Sequence, residues 1–306
     1  MFLISAIVIH DRSMELQQLR YVLAVAEERN FTRAAARCHV VQSALSHQIQ
    51  SLERELGVRL FARTSRRVEL TEAGAAFVPA ARATLDAAER AVAEAAVASG
   101  EIRGSLTIGT IPTVTAVDLA RVIAAFHRAH PAVGIRLRGG GSGAFISSIR
   151  EGELDLAVLG LPESSVPERV ATRVLARERL VAVLPAEHRL ASRRRLRLAD
   201  LADETFIDFP TGGAGRAQSD LAFTAAGVTR RVAFETEGID LMLDLVDEGL
   251  GVALLAPAIV PTDRRLVTVA LTDGPSRIEY LAWSDFNPSP ATLAFLEILD
   301  AHLVAS

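Results

Sequence analysis

The sequence predicts a multi-domain protein: a small, mainly α N-terminal module with the outline of a winged helix-turn-helix, a long linker helix, and a C-terminal α/β domain of two lobes. Three observations predict it. At 306 residues the chain exceeds the usual size of one domain. Up to residue 99 its apolar residues recur every three or four positions, as on helices, whereas beyond residue 104 strand-like and helix-like stretches alternate. Gly100 and Gly104 bracket a break between the two regimes. The expected boundaries are an extension at 1–13, the winged module at 14–71, the linker helix at 72–99, a hinge at 100–104 and the two-lobed domain at 105–306. Within the last, lobe I takes about 105–184 and 277–306, and lobe II about 185–276.

Half of the residues are apolar and 23% are charged, enough to bury several cores. A net charge of −4 and a pI near 6.0 exclude a uniformly basic nucleic-acid binder. Charge is uneven, however: between Glu15 and Thr71 nine arginines stand against six glutamates, a locally basic module in an acidic chain. All 33 basic residues are Arg, which reads as codon bias and carries no functional weight. The single cysteine, Cys38, reads as a small buried residue between two helices. It cannot form an internal disulfide, which fits a reducing cytoplasm. The opening MFLISAIVIH is too short to span a bilayer and lacks the basic flank and cleavage site of a signal peptide. Recognisable structure begins at MELQQLRYVLAVAEE, so Met14 is the expected working start.

Leu16, Leu19, Val22, Leu23, Val25 and Ala26 predict a first amphipathic helix, and Thr32 is the expected N-cap of a short second helix, Arg33 to Arg37. In the third helix Leu45, Ile49, Leu52 and Leu56 form one stripe, closed by Gly57 at the expected left-handed cap. Opposite that stripe lie Ser43, His47, Gln50, Ser51 and Arg54, with Ser46 on the flank. A solvated face would favour Glu, Lys or Arg. Short hydroxyls and amides, with no acid to repel phosphate, suit a helix that exchanges hydrogen bonds with base edges in a major groove. Three short helices with a tight turn before the third outline a helix-turn-helix. Next, in LFARTSRRVELTEAG, the strand-like RLF and VEL flank a turn with Arg63, Arg66 and Arg67, which describes a wing laid on phosphates or in the minor groove.

From Glu72 to Ser99 the chain is Ala-rich and helical by propensity. Phe77, Ala81, Leu85, Ala88, Val92 and Ala95 make a stripe expected to pack on a partner helix, so dimerisation follows. Pro79 should kink this helix or mark its effective start. Beyond the hinge come SLTIGT, a helix Val117 to Ala129, GIRLRG, a helix Phe145 to Glu151, LDLAVLG and RLVAVLP. A second unit runs from ETFIDFP through a helix after Gly215, RVAFET, a helix Ile239 to Glu248 and GVALLA, and RIEYLAW returns the chain to a last helix, Pro290 to Leu303. Parallel strands with crossover helices are expected, with a ligand cleft between the lobes at strand ends and helix N-termini.

The stretch FTRAAARCHVVQSALSHQIQSLERELGVRLFARTSRRVELTEAG resembles LysR-type transcriptional regulators, and the likeness extends from about Met14 to the C-terminus. AHPAVGIRLRGG, EGELDLAVLG and DLVDEGLGVALLAP look like that family's periplasmic-binding-protein-like effector domain. The resemblance implies a homotetramer, a dimer of dimers, that binds double-stranded promoter DNA and changes DNA bending or RNA polymerase contact when a small effector enters the cleft. No cofactor, metal, membrane or catalysis is expected. The family usually has Pro where this chain has Ser43, and often Arg where it has His47, which leaves the operator sequence open. Thr32, Gln42, Ser43, Ser46, His47 and Gln50 are therefore expected at base edges or adjacent phosphates, and Arg63, Arg66 and Arg67 on the backbone. The family's ligand contacts fall on Thr110 to Thr115, Gly140 to Ser142, Pro210 to Gly213 and Thr236, of which Thr110, Thr113, Gly140, Ser142, Pro210, Thr211 and Thr236 are the expected effector set. These hydroxyls and backbone amides suit a carboxylate or similar anion. Arg216 is the candidate cation.

Two rival functions are weaker. In GGGSGA, Gly140, Ser142 and Ala144 approach a G-x-S-x-G nucleophile elbow, but the last Gly is Ala and no acid is tied by spacing to His188 or His302. A stand-alone solute-binding protein would need export, for which the N-terminus gives no usable signal. His127 and His130 read as helix-end residues, and Arg193 to Arg197 as a solvated surface.

Overall fold

The computed structural model describes residues 14–63, 68–97 and 101–304. They fall into two compact units that divide between Val92 and Ala93. The expected extension at 1–13 and the wing turn carrying Arg66 and Arg67 lie outside the described residues.

The first unit opens with three helices, α1 (Leu16–Glu28), α2 (Phe31–Arg37) and α3 (Gln42–Leu56). Asn30 caps α2, its side-chain oxygen accepting the N–H groups of Thr32 at 2.9 Å and Arg33 at 3.0 Å. That corrects the expected Thr32 cap: Asn caps at least as well as Thr, and its choice starts the helix two residues earlier and leaves Thr32 exposed in the first turn. The stripe on α3 is inward as expected. Leu45, Ile49 and Leu52 are fully buried with Val22, Val25, Phe31 and Ala34, and Gly57 ends the helix at φ +71°, the left-handed region that glycine enters freely. Each of the three side chains contributes on the order of 2–3 kcal/mol by burial.

The wing strands β1 (Phe61–Arg63) and β2 (Val68–Leu70) pair antiparallel, Phe61 opposite Leu70. Two side chains fasten them. Glu53 on α3 accepts the Leu60 and Phe61 N–H groups, and Thr71 donates to the Arg59 carbonyl while accepting the Gly74 N–H at the head of α4 (Glu72–Val97). Gly74 lies so close to the wing that a Cβ there would collide with the Leu60 carbonyl oxygen. Gly74→Ala should therefore destabilise the first unit by about 1–3 kcal/mol, read as faster hydrogen exchange in α1–α3. Unchanged protection would mean that the backbone yields without cost.

Helix α4 runs unbroken through Pro79, so that residue does not mark its start. Its stripe is shared differently from expectation. Ala81 and Leu85, with Phe77, pack on Leu19 and Leu23 of α1 in the same chain, and Arg82 pairs with Glu27 at 2.9 Å. Only the distal part, with Val92 at 73% exposure and Ala95 exposed, is left for a partner.

In the second unit lobe I is a five-stranded sheet ordered β4-β3-β5-β13-β6, from β3 (Gly104–Thr110), β4 (Val133–Gly139), β5 (Leu156–Pro162), β6 (Ala171–Arg179) and β13 (Ser276–Trp283). Helices α5 (Leu119–Ala129), α6 (Ser142–Arg150) and α9 (Pro290–Val304) belong to it. Strand β5 is buried throughout, as a strand covered on both faces must be. Its Leu156 and Val158 enter the core of α5 and α9, and its Ala157 and Leu159 the core of α6. Lobe II holds β7 (Val181–Pro185), β8 (Arg195–Leu196), β11 (Ala253–Leu255) and β12 (Leu266–Leu271) in the order β11-β7-β12-β8. Beside them a parallel pair, β9 (Thr205–Asp208) and β10 (Arg231–Glu235), accompanies α7 (Ala214–Ala225) and α8 (Ile239–Asp247).

Parallel pairing holds for β3 with β4 and β5, but β13 is antiparallel to β5 and β6, and β7 to β11 and β12. The strands that carry the chain between lobes impose this. From β6 it crosses through Leu180 into β7, and it returns from β12 into β13. Lobe I thus ends at Leu180 rather than 184, because β7 pairs within lobe II. Strands β6, β8 and β12 are elements that the pattern of the sequence did not reveal.

Candidate nucleic-acid interface and effector cleft

Helix α3 presents one polar face. Gln42, Ser43, His47 and Gln50 are exposed, Ser46 is half-buried, and Thr32 is exposed on α2. The side chains of Gln42, Ser43, His47 and Gln50 make no hydrogen bond to another described residue, so their donors and acceptors are free for a ligand. Gln48, one position off the face, is used internally, accepting from Gln18 at 3.1 Å. The head of α3 is also open: Val41 at the N-cap offers no side-chain acceptor, so the first N–H groups can meet a phosphate. Arg63 ends β1 at the mouth of the wing turn. Cys38 sits half-buried after α2, and burial pushes its thiol up from the usual range.

In the second unit a cleft of about 710 Å³ opens between the lobes, within the usual range for small-molecule sites. Lobe I lines it with Thr110 to Thr113, Gly139 to Ser142 and Gly160. Lobe II contributes Phe209 to Thr211, Gly213 to Gly215, Gln218, Glu237 and Leu254 to Ala256. Leu180 at one crossing and Arg277 at the other complete the lining. Two helices begin there. Gly141 is the N-cap of α6 and Gly213 that of α7, and neither supplies a side-chain cap, so backbone N–H groups of both helices are unmatched where they meet the cleft.

Six of the seven expected effector residues line this space: Thr110, Thr113, Gly140, Ser142, Pro210 and Thr211. Their hydroxyls differ in what they can offer. The Ser142 hydroxyl is buried and committed to β5, accepting the Gly160 N–H at 3.0 Å and reaching the Gly160 carbonyl at 3.1 Å, so residue 142 has its backbone N–H to give. Thr113 accepts from Arg277 Nη1 at 2.7 Å, which leaves its own hydrogen to donate. Thr211 pairs with Glu235 at 3.0 Å. Thr236 is not in the lining; it accepts the Gly238 N–H at the head of α8, and its neighbour Glu237 faces the cleft instead.

Arg216 is likewise absent from the lining. It is drawn into lobe II by Asp220 and Glu235, each at 3.0 Å. Behind it Arg230 lies over the rings of Phe206 and Phe223 and pairs with Asp208 at 2.7 Å. Burial pushes the Asp208 carboxyl up from its ordinary value, with Arg230 opposing the shift.

The cation that the sequence reading missed is Arg277, 3% exposed on β13. It donates to Glu178 from Nε at 2.9 Å, to Glu279 at 2.6 Å and to the Thr113 carbonyl at 2.8 Å. Glu279, fully buried, also accepts from the backbone of Thr115 and Ala116. The node thus pins the cleft loop 111–116 to both crossing strands, β6 and β13. The visible signal was RIE in an otherwise apolar strand, two charges on one face of a segment too apolar to be a surface strand.

A winged helix-turn-helix in one unit and a two-lobed α/β domain with a ligand-sized cleft in the other define a DNA-binding regulator that answers to a small molecule. Residues 16–75 match the bacterial regulatory helix-turn-helix proteins of the lysR family, and residues 99–304 the LysR substrate binding domain. The chain belongs to the LysR family of transcription regulators. It is 34% identical to the uncharacterized HTH-type transcriptional regulator YnfL of Escherichia coli K12, covering 94% of this chain and 99% of that one. To BudR of Raoultella terrigena it is 35% identical over 93% of this chain and 100% of that one. To a hydrogen peroxide-inducible genes activator of Dickeya chrysanthemi it is 34% identical over 82% of each. Among solved structures, a full-length OxyR variant from Pseudomonas aeruginosa superposes with a TM-score of 0.72 at 26% identity, covering 95% of this chain and 94% of that one. CbnR in complex with its target DNA shares the fold, with a TM-score of 0.67 at 24% identity over 94% and 100%. These relatives are regulators and not enzymes, and the elbow-like GGGSGA carries its serine buried against β5. Among the described residues no helix is long and apolar enough to cross a membrane, and no cluster of His, Cys, Asp or Glu could hold a metal.

Proposed function

We propose that this regulator acts in the cytoplasm as a homotetramer whose promoter binding or activation changes when a small anion, most simply a carboxylate, occupies the cleft. One observation carries the reading: the uncapped N-termini of α6 and α7, one from each lobe, share a single cleft. Unmatched N–H groups and two helix dipoles favour negative charge there, and Ile111, Leu180, Phe209 and Leu254 supply an apolar bed for the rest of the molecule. An anion held by both helices ties the lobes together, which is how occupancy would alter the arrangement of the assembly. Contact with promoter DNA is through Thr32, Gln42, Ser43, Ser46, His47 and Gln50, with Arg63, Arg66 and Arg67 on phosphates. Dimerisation uses the distal face of α4 around Val92, and the activating form contacts RNA polymerase.

Several relatives are named for hydrogen peroxide. A peroxide-driven disulfide needs two thiols in reach, and this chain has one cysteine, Cys38, outside the effector domain, with its thiol pushed up by burial. With no cysteine in the second unit, a thiol switch cannot arise in the effector domain.

Melting of the purified chain with a panel of small carboxylates tests the reading. A ligand at 100 times its Kd should add about 2.7 kcal/mol, roughly 5–10 °C in the second unit's transition, and should shift the footprint on the protein's own promoter. Stabilisation by uncharged analogues alone, with carboxylates silent, would remove the anion site.

A further inference from the structure

We infer that the effector carries a cationic amine beside its carboxylate, as an α-amino acid does, and that Glu237 receives the amine. The inference rests on the carboxylate reading of the cleft and narrows it.

It follows from which charges in the cleft are already answered. Among the described residues Arg277 is the one cationic side chain in the lining, and each of its nitrogens is committed: Nε and Nη2 to Glu178, Nη2 also to Glu279, and Nη1 to Thr113. One guanidinium faces two carboxylates, so its charge is already answered: an incoming acid could meet only the second hydrogen of Nη1, and drawing Arg277 further would leave a buried glutamate unpaired. Arg216 is held away by Asp220 and Glu235. The acid end of a ligand is therefore left to backbone N–H groups of α6 and α7, the hydrogen of Thr113 and the second hydrogen of Arg277 Nη1.

Glu237 is the opposite case. It lines the cleft from the turn before α8, is exposed, and makes no hydrogen bond or ion pair with any described residue. Among the described residues, the lining and the node around Arg277 thus set a single cation, Arg277, against three carboxylates, Glu178, Glu237 and Glu279. A plain anion would meet helix amides but an uncompensated acid as well. A zwitterion satisfies both, its carboxylate on the amides and its ammonium on Glu237.

The test uses the full-length chain and matched pairs of probes: L-leucine against L-2-hydroxy-4-methylpentanoate, and L-phenylalanine against L-phenyllactate, extended across amino acids and their 2-hydroxy counterparts. Calorimetric titration and melting are read on the native chain and on Glu237→Gln. The expected result is an amino acid that binds at least about tenfold tighter than its hydroxy partner, with the gap closing to under about threefold in Glu237→Gln. Hydroxy acids binding as well as amino acids would overturn the inference and leave the carboxylate site standing. A preference for amines that survives Glu237→Gln would also overturn it, since Glu237 would then only complement the dipole of α8. Silence from both series overturns the inference together with the carboxylate reading beneath it.

Discussion

Arg277→Met should lower the stability of the second unit by about 3–5 kcal/mol, which for a domain of this size is a fall of roughly 10 °C in its melting transition. The size follows from what the side chain leaves behind. Methionine fills much of the same volume, so packing changes little, but Glu279 is fully buried and Glu178 partly so, and both lose the cation that answers them. A surface pair would be worth under about 1 kcal/mol; breaking a buried one strands an uncompensated charge. The measurement is convenient because the chain's single tryptophan, Trp283, sits on β13 with Arg277 and reports on the same sheet. If stranded charge is the cause, adding Glu178→Gln and Glu279→Gln to Arg277→Met should recover more than half of the loss, since amides tolerate the site better than unpaired carboxylates. A single variant within about 1 kcal/mol of the native chain would show that the carboxylates find water or protons elsewhere, and that the node does not brace the cleft loop.

That node also marks where the sequence stops being legible. Helices were readable because their signal is local: the stripe on α3, its Gly57 cap and the starts of α8 and α9 all lie within a few residues of their cause. The cap of α2 shows the limit of that method, for Asn30 and Thr32 are both good caps and only the folded backbone chooses between them. Strand β6 was missed because ATRVLARER puts Arg177 and Arg179 at exposed positions of an edge strand, which reads as a charged loop until β13 is beside it. The linker stripe was seen correctly, yet its first partner is α1 of the same chain, a contact between residues some sixty positions apart. Likewise the loops named from the sequence line the cleft, Thr236 apart, but which hydroxyls remain available depends on Gly160 and Arg277, neither near them in sequence.

His47→Glu should abolish specific promoter binding, a loss of at least about 100-fold, while leaving the melting of the first unit within about 2 °C. His47 is exposed on α3, and its helical neighbours at three and four positions, Ser43, Ala44, Gln50 and Ser51, carry no charge, so a glutamate there meets no partner or rival on its own helix face. Every consequence must then come from the DNA. If the face enters a groove, the new carboxylate displaces a base-edge contact worth about 1–3 kcal/mol and also lies among phosphates at low dielectric. His47→Ala removes only the contact, so it should cost about tenfold and change the order of preference among sites. Arg194→Glu, a larger change in charge on the exposed surface of lobe II, serves as the control and should alter affinity less than twofold. Repeating the titrations at rising salt separates the causes: a purely electrostatic loss shrinks as salt screens it, whereas a lost base contact persists. Equal binding by His47→Glu and the native chain would mean that this side of α3 never meets DNA, and the row from Gln42 to Gln50 would need another use.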